Sequence, residues 1–309
     1  MTKVSIIIPT YNRANFLQRS INSAFAQTFQ DFELIVVDDC SIDNTKEIIE
    51  NIKKSFPNIQ YIFLEQNGGA ANAINVGVKH SKGEFIAILD SDDEWMPTKL
   101  EKQLNAHKQS KSKKIGLVGC GALLYNEKGQ FLGPFNVRLN ELGLPYLLRK
   151  NYITQHTLLP KKVLDEVGPR DTKLKVIYDW EMWIRIADKG YDFEFVSEPL
   201  FKYFIQQHGL VRSASMSKLI DEFLYLTNKF SSLYNKHKKY YSGLLHDIAI
   251  AYFLNRRYKD AFVYYWKATK KFPFQLETIT NLVPFLVGRK LYTYIYHLKL
   301  LWNKDYLSM

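Results

Sequence analysis

Five apolar, β-branched runs alternate with amphipathic helix patterns in the first two thirds of this chain. The runs lie at Val4–Ile8, Glu33–Val37, Gln60–Leu64, Phe85–Leu89 and Ile115–Leu124. Helix patterns lie between them at Phe16–Phe25 and Thr45–Ile52, with Asp43 as the expected N-cap of the second. Strands that are apolar on both faces and separated by helices are typical of a parallel sheet covered on both sides. The sequence therefore predicts an α/β fold.

Polar segments follow the first four of these runs. They are PTYNR (Pro9–Arg13), DDCSIDNT (Asp38–Thr45), EQNGGAAN (Glu65–Asn72) and DSDDEW (Asp90–Trp95). The carboxyl ends of parallel strands meet at one edge of a sheet, and ligands bind there. One acidic turn is typical of an exposed loop, whereas four such segments at one edge predict a binding site. Asp90, Asp92 and Asp93 would repel one another unless a cation, basic side chains or water offset their charges.

Two other classes of phosphate site are excluded by their motifs. The chain has no G-x-x-x-x-G-K-[ST] sequence, so it has no P-loop. Gly119–Leu124 begins as G-x-G but has Leu124 where a dinucleotide site needs its third glycine.

Composition limits the class of protein. The 309 residues suffice for one large α/β domain and a smaller unit, and 46% apolar with 24% charged residues is typical of a globular chain. Two cysteines, Cys40 and Cys120, are too few for a disulfide framework, which favours a reducing compartment. No apolar run reaches the roughly 18 residues of a membrane-spanning helix. The N-terminus lacks a signal-peptide cleavage pattern, so a cytoplasmic protein is expected.

The last third of the chain is basic and aromatic. Ser215–Met309 carries 15 Lys and Arg against 6 Asp and Glu, and 21 of the 45 aromatic residues, whereas the net charge before it is only +2. This change predicts one domain at 1–214 and an α-helical region at 215–309. His246–Pro273 resembles a tetratricopeptide-type helical pair. A helical cap, an acceptor-binding surface and peripheral docking on the anionic inner face of a membrane are the alternatives, and no nucleic-acid motif is present.

Several motifs, in this order, resemble those of the family 2 glycosyltransferases. They are VSIIIPTYNR, ELIVVDDCSIDNT, NGGAANAINVG, KGEFIAILDSDDEWMPTKLEKQ and DWEMWIR, and they span residues 3 to about 212. The resemblance implies a GT-A fold, with a mostly parallel sheet and helices on both faces. It implies an inverting enzyme that uses Mg²⁺ or Mn²⁺ to move a sugar from a nucleotide-diphosphate donor to a hydroxyl acceptor. The implied acceptor is a glycan or lipid-linked molecule, in cell-surface polysaccharide or glycolipid synthesis.

The resemblance also implies metal ligands. Asp90 and Asp92 form a D-x-D motif around the small residue Ser91. Hard divalent ions prefer oxygen ligands and neutralise a diphosphate, so a metal would offset the acidic cluster. Asp92 is the implied direct ligand, and Asp90 a second ligand or a ribose contact. His208 is the implied third ligand, although it comes two residues after the family's usual position, Gln206.

The nucleotide is expected against the other turns. Tyr11 would cover one face of the base, while Pro9 and Thr10 shape the backbone around it. Asp39 would accept a hydrogen bond from the N3–H of uracil or thymine, which favours a UDP or dTDP donor. The remaining implied nucleotide contacts are Arg13, Asn67, Gly68, Asp90 and Ser91.

Two positions depart from the family's pattern. Cys40 replaces a usual glycine, so a different local backbone is expected. Ile74 stands where many members carry an arginine that contacts phosphate. The phosphate charge is then left to the metal and to Arg13 or His208.

An inverting reaction needs a base that takes the proton of the acceptor hydroxyl. The segment Tyr178–Gly190 resembles the family's EDYDLWLRL pattern and aligns Asp179 with the catalytic carboxylate. Glu181 is the alternative base. The structural alternative is that Asp179 is the N-cap of its helix, and this position would be compatible with a role as the base.

Two other function classes stay open. A nucleotidyltransferase of related fold also uses carboxylates and a metal, but it would have an early glycine-rich, basic motif that PTYNRANF lacks. A non-catalytic nucleotide-sugar-binding module would keep the fold and lose the carboxylates, whereas Asp39, Asp90, Asp92 and Asp179 are all present.

Overall fold

A computed structural model describes residues 2–135, 143–205 and 216–273 of the chain. The chain divides into two compact units. The first comprises Met1–Asn140 and Ile153–Gln207, and the second comprises Glu141–Tyr152 and His208–Met309. The domain limits predicted from the sequence, 1–214 and 215–309, stay a prediction.

Within the described residues, the first unit contains one nine-stranded sheet. Its strands are β1 (Val4–Thr10), β2 (Phe32–Asp38), β3 (Gln60–Phe63), β4 (Phe85–Ile88), β5 (Glu94–Trp95), β6 (Ile115–Asn126), β7 (Phe131–Phe135), β8 (Leu158–Pro160) and β9 (Asp192–Ile205). The order is β3-β2-β1-β4-β8-β6-β9-β5, and β7 pairs with β6. Strands β3, β2, β1 and β4 are parallel, as the sequence predicts, and β8 is antiparallel to both of its neighbours.

The apolar pattern of β1 explains why it lies at the centre of the parallel part. All seven of its residues are buried, and Ile6, Ile7 and Ile8 are fully so. Burying one such side chain stabilises the fold by about 1.5–3 kcal/mol. The register pairs Thr10 with Asp38, so β1 and β2 end side by side. Because β2 and β4 flank β1, the loops after these three strands meet at a switch point of the topology, where ligands of α/β sheets bind.

The helices of the described residues alternate with these strands and continue beyond them. They are α1 (Ala14–Phe25), α2 (Thr45–Lys53), α3 (Ala70–His80), α4 (Lys99–Gln109), α5 (Leu144–Leu147), α6 (Lys161–Val167), α7 (Tyr178–Asp188), α8 (Met216–Lys229), α9 (Ser231–Lys236), α10 (Lys238–Leu254) and α11 (Tyr258–Lys271). In α1 the buried apolar residues Ala14, Leu17, Ile21 and Ala24 recur at helical spacing and form one face.

Asp43 differs from its predicted position. The N-cap of α2 is Asn44, one residue later. Asp43 Oδ1 accepts hydrogen bonds from the Thr45 backbone N–H (3.1 Å) and hydroxyl (2.6 Å), while Oδ2 accepts one from the Ala14 N–H (3.1 Å). One carboxylate therefore satisfies unpaired N–H groups at the start of both α1 and α2, and it ties the loops after β1 and β2 together.

Cys40 keeps the backbone that a glycine would adopt. Its φ is 69°, in the left-handed region. A side chain in this region imposes a strain of roughly 1 kcal/mol, and the expectation that the backbone differs from that of the family stays a prediction. Asn12, in the facing loop, also has a positive φ of 51° and accepts the Ile42 N–H on its side-chain oxygen (2.9 Å).

The second unit contains α5 and the helices from α8 to α11. Helices α10 and α11 form the predicted helical pair: Ser242 Oγ donates to the Ala268 carbonyl (2.9 Å), and the Tyr252 and Tyr264 rings lie 5.2 Å apart. Across the described residues, every helix is too short or too polar to cross a membrane.

Candidate functional site

Two consecutive carboxylates at the end of β2 hold the neighbouring loops. Asp38 is fully buried and accepts hydrogen bonds from the Ser41 N–H (2.9 Å) and the Tyr61 hydroxyl (2.7 Å). Asp39 is also buried, and its two oxygens accept the N–H groups of Gly68 (2.8 Å) and Gly69 (2.6 Å). A carboxylate has about four lone-pair sites, so two remain for a further donor. Asp39 thus fixes the glycine turn, and its hydrogen bond to a base stays a prediction.

The glycine turn after β3 is bound from two more directions. Asn67 Nδ2 donates to the Asp39 carbonyl (3.1 Å), and Lys175 Nζ donates to the Gly68 carbonyl (2.8 Å). Gly69 has a φ of +88°, and a Cβ there would lie 3.1 Å from Lys175 Nζ. A side chain at this position would therefore be strained and crowded.

Helix α1 holds the backbone of the acidic turn, which is the segment Asp90–Trp95 that follows β4. Arg19 Nη2 donates to the Asp92 carbonyl (2.5 Å), Ser20 Oγ donates to the Asp90 carbonyl (3.2 Å), and Ser23 Oγ accepts the Trp95 N–H (3.0 Å). These contacts bind main-chain atoms and leave the side chains of Asp90 and Asp92 to other partners. The sequence analysis missed them, because a hydroxyl or guanidinium on a helix has no pattern that names a distant carbonyl.

Asp93 turns away from this edge and into the protein. It is fully buried, its Oδ1 accepts the Phe204 N–H (2.9 Å), and its Oδ2 lies 2.7 Å from His156 Nε2. His156 Nδ1 accepts the Trp95 Nε1–H (3.0 Å), so the ring proton lies on Nε2 and faces Asp93. Burial lowers the pKa of His156 to about 4, which keeps the ring neutral. The sequence analysis missed His156 entirely.

Asp93 does not cap the helix that follows it. Helix α4 begins at Lys99 and its N-cap is Thr98. Asp93 and His156 instead form a buried support beneath the acidic turn.

The carboxylates of the D-x-D motif fit a divalent cation. Asp90, Asp93 and His156 present ligand atoms that all lie within 4.8 Å of one another. Asp93 and His156, however, use those atoms in hydrogen bonds to each other and to the protein. Asp90 and Asp92 keep side chains that are 31% and 22% exposed, and Arg13 Nε lies 3.8 Å from Asp92 Oδ2. Oxygen ligands at one turn suit Mg²⁺ or Mn²⁺.

The electrostatics of Asp90 support the same fit. Burial raises its pKa to about 7; His156 opposes this rise, and the charges of Asp93, Asp92 and Asp179 add to it. A carboxyl group with several like charges beside it is stabilised in its ionised form by a bound cation. The third ligand implied by the sequence, His208, lies outside the described residues, as does Gln206.

Asp179 lies in the first turn of α7, close enough to the acidic turn to affect the pKa of Asp90. Its charge contributes to raising the pKa of both Asp90 and Tyr178. Asp179 Oδ1 accepts the Trp180 N–H (2.7 Å), but the N-cap of α7 is Ile177, so Asp179 does not occupy the N-cap position. The apolar residues after it are buried as the sequence predicts: Trp180, Met182, Trp183 and Ile186.

Glu181, the alternative base, is fully buried in an ion pair. Its Oε1 lies 2.7 Å from Arg185 Nε, and its Oε2 accepts from Arg185 Nη2 (2.9 Å). Arg185 also donates to the carbonyls of Val167 and Pro169, at the end of α6. Glu181 is therefore held in an ion pair, and the assignment of Asp179 as the base stays a prediction.

Arg170 is a second residue that the sequence analysis missed. Its side chain is buried, and among the described residues its Nε and Nη2 have no hydrogen-bond partner. Its backbone is clamped by Asn75, which accepts the Arg170 N–H (2.8 Å) and donates to its carbonyl (2.9 Å). Burial lowers its pKa to about 10, against the opposing charges of Tyr178, Asp179 and Asp90. A buried guanidinium is thus within electrostatic reach of Asp179 and Asp90, although Ile74 replaces the family's arginine.

Asp90→Asn is expected to stabilise the metal-free protein at about pH 8. The folded-state pKa of about 7 lies above the ordinary 3.8, so the unfolded chain loses this proton first as the pH rises. The contribution of Asp90 to the free energy of unfolding therefore decreases between about pH 4 and pH 7. The variant lacks this decrease. Its Tm, measured by calorimetry in EDTA, should exceed that of the wild type at about pH 8, and the difference should shrink at about pH 4.5.

The matched control is Asp165→Asn, which changes an exposed carboxylate on α6. It should leave Tm nearly unchanged at both pH values. Added Mn²⁺ should raise the Tm of the wild type more than that of Asp90→Asn, because a ligand stabilises the state that binds it. Equal Tm shifts for Asp90→Asn at both pH values would contradict the raised pKa.

Comparison with known proteins identifies the family. Residues 5–119 match the family described as Glycosyl transferase family 2. An uncharacterized glycosyltransferase of Methanocaldococcus jannaschii is 31% identical over 207 residues, which is 65% of this chain and 70% of the relative. One of Rickettsia typhi is 34% identical over 200 residues, 62% of this chain and 61% of the relative. One of Rickettsia felis is 37% identical over 190 residues, 59% of this chain and 31% of the relative. The chain thus spans less than two thirds of the length of these two Rickettsia relatives.

Solved structures show the same fold. Staphylococcus aureus TarS 1-349 in complex with UDP-GlcNAc aligns with a TM-score of 0.57 at 21% identity, over 81% of each chain. The mannosyltransferase PcManGT from Pyrobaculum calidifontis, in complex with GDP-Man and Mn²⁺, aligns with a TM-score of 0.59 at 18% identity, over 98% of this chain and 88% of that one. At these identities the likeness is one of fold, and it confirms the predicted GT-A class.

Three findings agree. Residues 5–119 match the family model, the archaeal relative is 31% identical with 70% of its length covered, and the fold is that of GT-A enzymes. The chain belongs to glycosyltransferase family 2.

Proposed function

We propose that this chain is an inverting, metal-dependent glycosyltransferase that uses a UDP- or dTDP-linked sugar as its donor. One observation carries the proposal: the D-x-D turn that follows β4 lies against the loop after β1, where Arg13 Nε is 3.8 Å from Asp92 Oδ2, at the edge where β1 and β2 also end. A donor whose nucleotide lies over β1 and β2 and whose diphosphate reaches Asp92 would need such proximity. Family membership makes a sugar transfer the reaction to expect of this arrangement.

The nucleotide is proposed to lie over the ends of β1 and β2. Tyr11 is 45% exposed, so its ring is not packed into the strand end and can cover a base. The Asp39 N–H donates to the Thr10 carbonyl (2.9 Å), which holds Asp39 beside the residue that precedes Tyr11. A uracil or thymine between them would donate its N3–H to Asp39. Arg13, Asn67, Gly68 and Ser91 are the further proposed contacts of the nucleotide.

Asp90 and Asp92 are the proposed ligands of Mg²⁺ or Mn²⁺, which when bound would neutralise the charge of the departing diphosphate. Arginine side chains of the protein would supply the remaining positive charge. Arg13 lies beside Asp92, and Arg170 lies beside Asp90 and Asp179. Both can offer positive charge to the donor's phosphates.

Asp179 is the proposed general base. It would accept the proton of the acceptor hydroxyl while that oxygen forms a bond to the anomeric carbon. The bond from this carbon to the diphosphate oxygen breaks at the same time, and the nucleotide diphosphate leaves with the electron pair. Attack from the face opposite the leaving group inverts the anomeric configuration. The buried aromatic residues after Asp179 would limit the access of water.

The acceptor is proposed to be a hydroxyl of a glycan or a lipid-linked glycan, in cell-surface polysaccharide or glycolipid synthesis. The proposed location is cytoplasmic, with peripheral attachment to the inner face of the membrane. The family resemblance and the basic last third of the chain support these two proposals.

The test is a donor panel with purified protein. UDP-, dTDP-, GDP- and CMP-sugars are incubated with Mn²⁺ or with EDTA, and the released nucleotide is measured by chromatography. We expect release from UDP- or dTDP-sugars in Mn²⁺ and none in EDTA. Pyrophosphate formation from a nucleoside triphosphate and a sugar phosphate would instead identify a nucleotidyltransferase. Nucleotide binding without turnover of any donor, with candidate acceptors present, would favour a binding module.

A further inference from the structure

Helix α11 exposes a stripe of large apolar side chains. Tyr258, Phe262 and Trp266 follow one another at intervals of four residues, and Val263 lies beside them. Each is between 47% and 55% exposed. Residues spaced by four lie on one face of a helix, so these side chains form a continuous strip. The opposite face of α11, with Ala261, Tyr265 and Ala268, is buried.

Basic residues border this strip, and Lys259, Lys267 and Lys270 lie on its Val263 side. The exposed charged side chains of 256–270 are Arg256, Arg257, Lys259, Lys267 and Lys270. The single carboxylate of this segment, Asp260, accepts a hydrogen bond from Arg257 Nε (2.8 Å), so its charge is offset. Residues 216–273 as a whole carry eleven Lys and Arg against four Asp and Glu. The described residues around the strip therefore carry a net positive charge.

Aromatic side chains with lysine and arginine beside them are typical of helices that lie in a membrane interface. Aromatic rings enter the boundary between head groups and acyl chains, while long basic side chains reach the phosphate groups. The four apolar residues of the strip and its basic border match both requirements. On a surface that faces only water, nothing would offset the unfavourable contact of these apolar side chains with water.

Two other occupants lack the complementary charge. The segment that follows in the chain, residues 274–309, carries four Lys and Arg against two Asp and Glu, so it is itself basic. A second copy that met this one through the same face would bring its own lysines against those of the first. Like charges at close range oppose both contacts.

We propose that the exposed face of α11 (Tyr258, Phe262, Val263 and Trp266 with their basic border) docks on an anionic phospholipid membrane. The aromatic side chains insert among the head groups, and Lys259, Lys267 and Lys270 bind the lipid phosphates. This inference rests on the proposed peripheral attachment and names the surface that makes it, and it does not depend on the transfer reaction. A membrane-bound second unit would bring the chain to acceptors carried on lipid.

The first test compares vesicle binding of matched variants of the full chain. Vesicles of phosphatidylcholine alone, or mixed with phosphatidylglycerol, are floated on a gradient at low and high salt. The wild type should float with the anionic vesicles at low salt and less at high salt. The double variant Phe262→Ser, Trp266→Ser should partition at least about tenfold more weakly, because it removes the two largest apolar anchors.

The control is Phe131→Ser, Leu132→Ser on β7, which removes two apolar side chains that are 57% and 46% exposed. It should float like the wild type. All four changed side chains are exposed, so both variants should keep the circular dichroism spectrum and Tm of the wild type, and these are measured first. Equal flotation of the α11 variant and the wild type would overturn the proposal, as would an equal loss in the β7 control.

The second test changes charge. Lys259→Glu, Lys267→Glu should weaken flotation at low salt, whereas Lys111→Glu, Lys113→Glu, which changes two exposed lysines of the first unit, should not. A labelled single-stranded RNA is titrated in parallel by fluorescence polarisation. A wild type that ignores anionic vesicles at low salt refutes membrane docking. If that protein also binds RNA and the α11 variants do not, the face is a nucleic-acid surface instead.

Discussion

Replacing Asp179 by Asn is expected to lower donor turnover by roughly 10² to 10⁴, the usual effect of removing a general base. The amide has nearly the same shape but cannot take up the acceptor's proton. Asn keeps a side-chain oxygen that can accept the Trp180 N–H, so α7 should keep its start. The affinity for UDP or dTDP, measured by calorimetry, should stay within about threefold of the wild type, since a base acts on the acceptor side of the sugar.

The control for this variant is Asp188→Asn, at the exposed end of the same helix. It should turn over donor at the rate of the wild type. A loss of nucleotide binding by Asp179→Asn, in parallel with the loss of turnover, would show that Asp179 organises the site and is not its base.

Asp92→Asn is expected to abolish metal-dependent turnover. Neutralisation of a leaving diphosphate by a metal provides several kcal/mol, which corresponds to a factor of roughly 10² to 10³ or more in rate. The fold should persist, because Arg19 binds the backbone carbonyl of Asp92 and an asparagine retains that group. EDTA should have the same effect on the wild type as this substitution has in Mn²⁺.

Glu65→Gln provides the comparison, because Glu65 is an exposed carboxylate in the loop after β3, near the same edge of the sheet. Its turnover should match that of the wild type. Near-normal turnover by Asp92→Asn, or full activity of the wild type in EDTA, would exclude a metal bound by Asp92.

The parallel half of the sheet was predictable because its information is local. Each of β1, β2, β3 and β4 is an apolar run, and the polar segments after them mark a common edge. The short strand β8 was not predictable: Leu158–Pro160 has only three residues, too few for a periodic pattern, and it enters the sheet antiparallel between β4 and β6. Its place depends on pairing with distant residues.

The residues that hold the acidic turn and its surroundings could not be predicted from the sequence for the same reason. Asp93 and His156 are 63 residues apart, and nothing near either one indicates the other. Arg170 follows a proline in a loop, and only the clamp by Asn75 on α3 shows where it is held. The D-x-D carboxylates and Asp179 could be predicted as site residues because their motifs are contiguous. The groups that orient them come from other elements and meet only in the fold.

Asp39 makes contacts that its place in the sequence does not reveal. Its place at the end of β2 was readable, and so was a glycine turn after β3. That both carboxylate oxygens hold Gly68 and Gly69 could not be inferred, because it depends on the register between the two loops. Substituting Asp39 would therefore disturb the glycine turn as well as any contact with a base.

Anomalous diffraction from crystals grown with Mn²⁺ and UDP measures most directly whether this edge of the sheet is a metal-dependent nucleotide-sugar site. The account predicts a manganese peak at the side chains of Asp90 and Asp92, beside the diphosphate, with uracil next to Tyr11 and Asp39. Asp93 and His156 should remain bonded to each other. Manganese bound by Asp93 and His156 in place of Asp92, or a nucleotide located away from the ends of β1, β2 and β4, would contradict it.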